Sequence, residues 1–497
     1  MASAQDPDTA ANAPSATSAP RGLSRRSVLG AGAAGTLALG LFPTASRATP
    51  KARPNVLIVV ADDWGYPHAG AYADPAALTP VFDRVAGEGA LFTHAFAAAP
   101  SCTPSRNAIL TGQAPHRLEA GANLWSSLPA RFASYPDLLE KTGYRVGKTQ
   151  KAYGPGSLDE RPRDPAGPDF ADFGQFLQEQ PADVPFAFWL GSADPHRPYD
   201  PALGEASDID SAAVDVPPYL PDTPEVREDI VNYLAEVQRF DRRLDDALAL
   251  IEDRGLADNT IVVVTSDNGW PWPRAKATVY DAGTRVPLAI RWPGHVAPGT
   301  VVDRLTVLSD LAPTFLEAAG IEIPADFTGQ SLIPTLTESA PPRDFVVLER
   351  ERHARSREPN LAYPARAVRT ADWLYIRNYF PERWPAGDPD LSASQGVFSD
   401  IDAGPTKTQL IDRRQQPGFV TPFRLATGKR GAEELYDLRT DPHSLADLAD
   451  DPKYAAVKAH LAGKLLAWQR HTGDLRAANP RDRFWDNVPY YGPSDVT

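Results

Sequence analysis

Pro54-Asn55-Val56-Leu57-Ile58-Val59-Val60-Ala61-Asp62-Asp63-Trp64-Gly65 opens on an unbroken apolar run and closes on two carboxylates. The run does not alternate polar with apolar. It therefore reads as a strand buried on both faces, at the centre of a parallel sheet. Asp62 and Asp63 follow at its carboxyl end, where open α/β sheets bind ligands. By itself, Asp-Asp is a turn as often as a metal site. The same design recurs. Thr260 to Thr265 (Thr-Ile-Val-Val-Val-Thr) runs into Ser266-Asp267-Asn268-Gly269, and Pro185 to Leu190 runs into Gly191-Ser192-Ala193-Asp194-Pro195-His196-Arg197-Pro198-Tyr199.

Further strands are expected at Ala90 to Phe96, Tyr144 to Gly147 and Val286 to Arg291. Helices fall between them. Thr79 to Glu88 has Thr79 as its N-cap and Pro80 at its first position. Pro136 to Thr142 is a short helix, and Ser309 to Ala319 is another. Thr223 to Arg254 is the longest, with Ile230, Leu234, Val237, Leu244, Leu248 and Ile251 on one face. It reads as a packing helix without chemistry. Strands alternating with helices give an α/β fold, a mostly parallel central sheet sandwiched by helices. From about residue 340 the texture changes. Phe345 to Glu349 and Trp373 to Arg377 read as strands of a smaller sheet. Residues 385–430 read as a long loop, and Tyr454 to His471 as a closing helix. The expected division is a larger α/β domain over 54–335 and a C-terminal antiparallel sheet plus helix, an α+β subdomain, over 340–497.

The chain has 497 residues, 42% of them hydrophobic, and a formal net charge of -14. That charge excludes general attraction to nucleic acid. An anionic substrate would need a local cluster of Lys, Arg and His. Residues 1–48 stand apart from the fold. The first twenty are Ala-, Ser-, Asp- and Pro-rich and read as disordered. Then come the paired Arg25-Arg26, a short Ala/Gly/Leu run to Phe42, and Ser46-Arg47-Ala48. This resembles a twin-arginine export signal, with an ordinary secretory signal as the alternative. The expected location is periplasmic or extracellular, with no stable membrane span.

Ser101-Cys102-Thr103-Pro104-Ser105-Arg106-Asn107-Ala108-Ile109-Leu110-Thr111-Gly112 holds the single cysteine. One cysteine cannot make an internal disulfide, and a buried free thiol is commonly just a small apolar side chain. Here the context matters. Pro104 suits a first helical turn, which places residue 102 at a helix N-terminus, where an anion is favoured. Cys-Thr-Pro-Ser-Arg resembles the modification signature Cys-x-Pro-Ser-Arg of the type I sulfatases. These are formylglycine-dependent members of the alkaline phosphatase-like superfamily. The resemblance covers roughly residues 54–450 and implies that fold. It also implies that Cys102 is oxidised to formylglycine by a formylglycine-generating enzyme, and that the hydrated aldehyde is the nucleophile. Export of a folded chain would allow that oxidation first.

Asp62, Asp63, Asp267 and Asn268 offer oxygen ligands at the ends of two central strands, with no His in either turn. Such a set suits Ca²⁺ or Mg²⁺; two unrelated acidic turns are the plainer reading when each is taken alone. In the family these positions hold Ca²⁺ with residue 102 as a further ligand. The resemblance also makes Arg106 the support of formylglycine, Lys151 and Lys276 the sulfate-binding cations, and His196 the contact to the bridging atom. Lys148 competes with Lys151. Many members carry a His two residues after that lysine, and here the place is Tyr153. Tyr153, a nearby His (His68, His94 or His116) or water must then take the proton. Tyr153, His68 and His116 are also substrate-binding candidates.

The order of these motifs is most similar to the heparan N-sulfatase-like bacterial branch. It implies hydrolysis of an O- or N-sulfate on a sulfated sugar or polysaccharide, glucosamine N-sulfate being one candidate. Lys276 stands where Arg is expected in animal members. Two rival readings remain at this level. One is a phosphonate or phosphate monoester hydrolase using the same aldehyde. The other is a non-catalytic homologue that binds sulfated glycans.

Overall fold

The computed structural model describes residues 53–337, 341, 343–390 and 396–493. The export-signal reading falls outside the described residues. The first strand, β1 (Asn55–Ala61), lies in the middle of a seven-stranded sheet. With β2 (Ala90–Phe92), β3 (Arg145–Thr149), β4 (Phe186–Gly191), β5 (Thr260–Ser266), β6 (Leu288–Arg291) and β7 (Thr300–Val302), the order is β7-β2-β6-β5-β1-β4-β3. β1 pairs parallel with β4 and β5, and β3 with β4. Only β6 runs against its neighbours, so the sheet is mostly parallel.

Side chains of a strand alternate between faces, and β1 divides accordingly. Leu57, Val59 and Ala61 face α1 (Pro80–Glu88) and the long α4 (Pro224–Asp253), meeting Phe82, Val85, Ile230, Leu234 and Val237. Val56, Ile58 and Val60 face α2 (Cys102–Thr111), α3 (Tyr135–Glu140) and α5 (Leu311–Ala318), meeting Ile109, Leu110, Leu139 and Phe315. Each such aliphatic side chain, fully buried, contributes about 1.5–3 kcal/mol. That two-sided burial is why the strand reads as continuously apolar.

The expected strand at Ala90 to Phe96 is two short pieces. Ala95–Phe96 leaves the main sheet and pairs with Thr306–Val307. Toward the C-terminus, β8 (Val346–Arg350), β9 (Ala365–Arg369), β10 (Trp373–Asn378) and β11 (Glu433–Asp437) form an antiparallel four-stranded sheet. One face packs on Phe96, Val279 and Tyr280; the other receives Leu461 and Leu465 of α8 (Ala455–Thr472). The stretch 385–430 is not wholly a loop: it contains α6 (Pro405–Asp412) and α7 (Val420–Thr427). Leu410, Phe419 and Ala426 bury there in a small cluster of their own. The polar and proline content that suggests a loop instead marks helix starts, since Pro405 occupies the first turn of α6. Among the described residues, no helix is long and apolar enough to cross a membrane.

Candidate active site and cation cluster

The parallel register puts the carboxyl ends of β1 and β5 side by side, with Ala61 opposite Ser266. Both acidic turns therefore leave the sheet at one point. The turn after β1 is held by its own N–H groups. Asp62 N donates to the Asp194 carbonyl at 2.9 Å, Asp63 N to Asp267 Oδ1 at 3.1 Å, and Trp64 N to Ser266 Oγ at 2.7 Å. Gly65 N donates to Tyr233 Oη at 3.0 Å, and that hydroxyl donates to the Asp63 carbonyl at 3.2 Å. Helix α4 thus does more than fill the core: it grips the acidic turn. Asp63 itself has φ of 74°, a left-handed conformation that Asp tolerates better than most residues.

Cys102 is the first residue of α2 and is buried, with Sγ 3.4 Å from Asp62 Oδ1. Ligating atoms of Asp62, Asp63, Cys102 and Asp267 all lie within 4.8 Å of one another. Asn268 completes the group. Its Nδ2 donates to Asp63 Oδ1 at 2.7 Å and to the Gly269 carbonyl, while its buried Oδ1 has no partner. A buried acceptor without a donor is costly. Beside three carboxylates, it fits a hard divalent cation.

The cations of the site are tied to those same carboxylates. Arg106 lies one turn along α2, fully buried. Its Nε donates to Asp267 Oδ2 at 2.6 Å and its Nη1 to the Lys151 carbonyl at 2.7 Å. Lys151 Nζ donates to Asp62 Oδ2 at 2.5 Å. Lys276 Nζ donates to Asp63 Oδ2 at 2.7 Å and to Asp402 Oδ2 at 3.0 Å. His196 Nε2 is 3.8 Å from Asp63 Oδ2. Its Nδ1 lies 2.6 Å from the Arg197 carbonyl, which can only accept, so Nδ1 carries the proton. Burial alone would raise the pKa of Asp62, but Lys151, His196, Arg106 and Lys276 hold it below the usual carboxylate range. Burial pushes the Cys102 thiol well above its ordinary value, over the opposing pull of Lys151.

Lys148, the competitor of Lys151, points elsewhere: its Nζ meets the Gln150 carbonyl at 3.2 Å and Asp169 at 3.0 Å. The candidates for the missing proton acceptor are not brought to the cluster. Tyr153 shares its one hydroxyl proton between the Ser126 and Ser157 carbonyls, both at 2.9 Å. Burial raises its pKa, so the hydroxyl keeps its proton near pH 7. His116 has Nδ1 on Glu349 at 3.0 Å and Nε2 beside the Thr472 carbonyl. His68 bonds Asp74 at 2.8 Å and packs on Trp270, lining a separate cavity of about 270 Å³. His94 meets Thr93 Oγ1, and burial with Arg285 and Arg369 lowers its pKa to about 4. Proximity in sequence misleads in these cases, because each side chain is held by partners outside the cluster.

Two residues at the site escape a sequence reading. His353 Nδ1 lies 2.8 Å from Ser101 Oγ, immediately before residue 102. Burial first, then Lys276 and Arg350, lowers its pKa to about 4 against Asp400 and Asp402, so its ring is neutral near pH 7. It follows β8 in Arg350-Glu351-Arg352-His353, and a polar run at a strand end is the same signal that marks Asp62. Asp402 sits in a stretch with no local signal at all.

A sequence model described as Sulfatase matches residues 54–166 and 168–321. The chain belongs to the sulfatase family. A second model, described as the C-terminal part of N-sulphoglucosamine sulphohydrolase, covers residues 269–390 of this sulfatase. Human N-sulphoglucosamine sulphohydrolase is 30% identical over 481 residues, 85% of this chain and 91% of that protein. An ulvan-active sulfatase of Formosa agariphila is 28% identical over 450 residues, 86% of this chain and 82% of its own. In three dimensions, BT4656 in complex with its substrate D-glucosamine-2-N,6-O-disulfate superposes with a TM-score of 0.63 at 20% identity, over 86% of this chain and 99% of that one. The phosphonate monoester hydrolase of Agrobacterium radiobacter gives 0.60 at 19%, over 85% and 97%. These two structures share the alkaline phosphatase-like fold of this sulfatase.

Proposed function

We propose that this sulfatase removes sulfate, O- or N-linked, from a sulfated carbohydrate, using formylglycine made from Cys102 and a divalent cation, Ca²⁺ or Mg²⁺. The observation that carries this reading is the orphaned Asn268 Oδ1 beside Asp62, Asp63 and Asp267, with Cys102 in the same cluster. Those four oxygen-bearing residues would hold the cation. When present, the cation supplies positive charge to a sulfate oxygen, and oxidised residue 102 supplies a hydroxyl nucleophile. The chain's own groups do the rest. Lys151, held on Asp62, and Lys276, held on Asp63, bind sulfate oxygens, aided by the N-terminus of α2. Arg106 locks α2 to the ends of β1 and β5 and so fixes residue 102. His196, partly exposed and with its Nδ1 proton committed to the Arg197 carbonyl, turns Nε2 to the leaving atom and protonates it when charged.

The human relative's name and the disulfated glucosamine held by BT4656 support a sulfated glucosamine, free or in a polysaccharide, as the substrate class. The same reading includes maturation by a formylglycine-generating enzyme and twin-arginine export directed by residues 24–48. It also includes division into a catalytic domain at 54–335 and a C-terminal subdomain at 340–497. Two measurements on protein from a host that modifies the cysteine test it. Mass spectrometry of the peptide containing residue 102 should show the aldehyde. Aryl sulfate should be turned over faster than aryl phosphonate. Turnover of sulfates by protein whose thiol is intact would overturn the mechanism.

A further inference from the structure

Lys276 has three N–H donors. Two are spent, on Asp63 and on Asp402. Asp63 belongs to the cation cluster, but Asp402 does not. It lies beyond the stretches matched by either family model, and its carboxylate also approaches His196, grouping with Asp63 and His196 within 4.8 Å. It is partly exposed, as is His196, whereas Lys276 is buried. A carboxylate therefore stands on the open side of a site built to receive an anion.

Its position is fixed by the fold. Two residues earlier, Asp400 is buried against Arg350 and Arg357 and accepts from Ser356 Oγ at 2.8 Å. On the other side, Lys407 Nζ donates to the Ile401 carbonyl at 2.7 Å, and Thr406 Oγ1 donates to Asp229 Oδ2 at 2.6 Å. The segment carrying Asp402 is bolted at both ends.

A negative group facing an anion site weakens every anion, in proportion to the anion's charge. A sulfate monoester carries one negative charge. A phosphate monoester has the same tetrahedral shape but carries nearly two above its second pKa of about 6. Holding one of the three Lys276 donors also leaves that ammonium less able to compensate a dianion. We propose that Asp402 is a charge filter: its carboxylate, shared with Lys276 at the mouth, selects monoanionic tetrahedral esters and rejects dianionic phosphate monoesters. This rests on the sulfatase reading above and adds a specificity-determining residue to it. Asp402 acts through Lys276 and through the field at the mouth.

The test compares wild type, Asp402→Asn and Asp402→Glu in the full-length, cysteine-modified enzyme, at a pH of about 8 so that phosphate monoesters are dianions. The kcat/KM for 4-nitrophenyl phosphate relative to 4-nitrophenyl sulfate should rise about tenfold or more in Asp402→Asn, the scale of one added charge interaction in a partly buried site. The ratio should fall back toward wild type in Asp402→Glu. An unchanged ratio in a folded Asp402→Asn protein, or equal losses on both esters, overturns the proposal. So does an Asp402→Glu ratio that stays with the Asn variant. Should wild type hydrolyse neither ester and leave a sulfated glucosamine intact as well, the sulfatase reading fails by itself. Calorimetric titration of the two unreacted esters then decides the Asp402 question through the ratio of their dissociation constants.

Discussion

Lys151 and Lys148 are three residues apart, and only one of them can serve the sulfate. Lys151 Nζ sits 2.5 Å from Asp62 Oδ2, inside the cluster; Lys148 Nζ sits 3.0 Å from Asp169, whose side chain is 70% exposed. Replacing Lys151 by Ala removes a fixed positive charge from the place where sulfate charge must be held. A unit charge pair at about 4 Å and an effective dielectric of about 20 is worth roughly 4 kcal/mol. Removing one preorganised donor from a transition state costs about 2.7–4 kcal/mol, or 10²–10³-fold in kcat. The stability cost should be smaller. Asp62 keeps Arg106 Nη2 at 3.6 Å, so the loss is about 1–2 kcal/mol, below the roughly 3–5 for severing a fully buried pair. Lys148→Ala breaks a surface pair worth about 0–1 kcal/mol and should leave turnover unchanged. The assay is kcat/KM on an aryl sulfate for both variants, with Tm as the control for folding. The reasoning is refuted if Lys148→Ala is as damaging as Lys151→Ala, or if Lys151→Ala keeps turnover near wild type while folded.

Tyr153→Phe should leave the pH–rate profile in place and lower stability by about 1 kcal/mol, the value of the lost hydroxyl hydrogen bonds; a shifted basic limb would make Tyr153 the proton acceptor after all. His353 has a folded pKa of about 4, below the value near 6.5 expected when unfolded. The unfolded chain therefore binds the extra proton first as pH drops, and stability is lost between about pH 6.5 and 4, by up to about 3 kcal/mol. His353→Gln should flatten that part of the Tm–pH curve, and an unaltered curve would show that other groups govern it. Chelation should abolish aryl sulfate turnover and lower Tm, with both restored by Ca²⁺ or Mg²⁺. Cys102→Ser should abolish turnover while leaving Tm nearly unchanged, and undiminished activity would remove residue 102 from the mechanism.

Local chemistry made much of this legible from the chain alone. β1, β4 and β5 declare themselves because burial on two faces demands unbroken apolar runs. The helix start at residue 102 shows through Pro104 and the apolar residues after it. The acidic turns follow directly from the strand ends. β9 is harder: Ala365-Arg366-Ala367-Val368-Arg369 looks like surface, yet Arg366 is fully buried against Glu351 and Asp474. Its burial depends on carboxylates far away in sequence, which no local pattern reports. The antiparallel direction of β6 is likewise a matter of sheet order rather than of its own residues.

At the site, sequence determined the residue types that could hold a cation, because carboxylates at adjacent strand ends must converge once the strands pair in register. Only the tertiary structure decided which lysine faces Asp62, which histidines turn away, and that His353 and Asp402 come in from the C-terminal region. A side chain's partners depend on how distant elements pack, and packing energies are summed over the whole molecule. A three-residue change of direction at Lys148 or a tied segment at Asp402 therefore leaves no mark on the amino acids nearby.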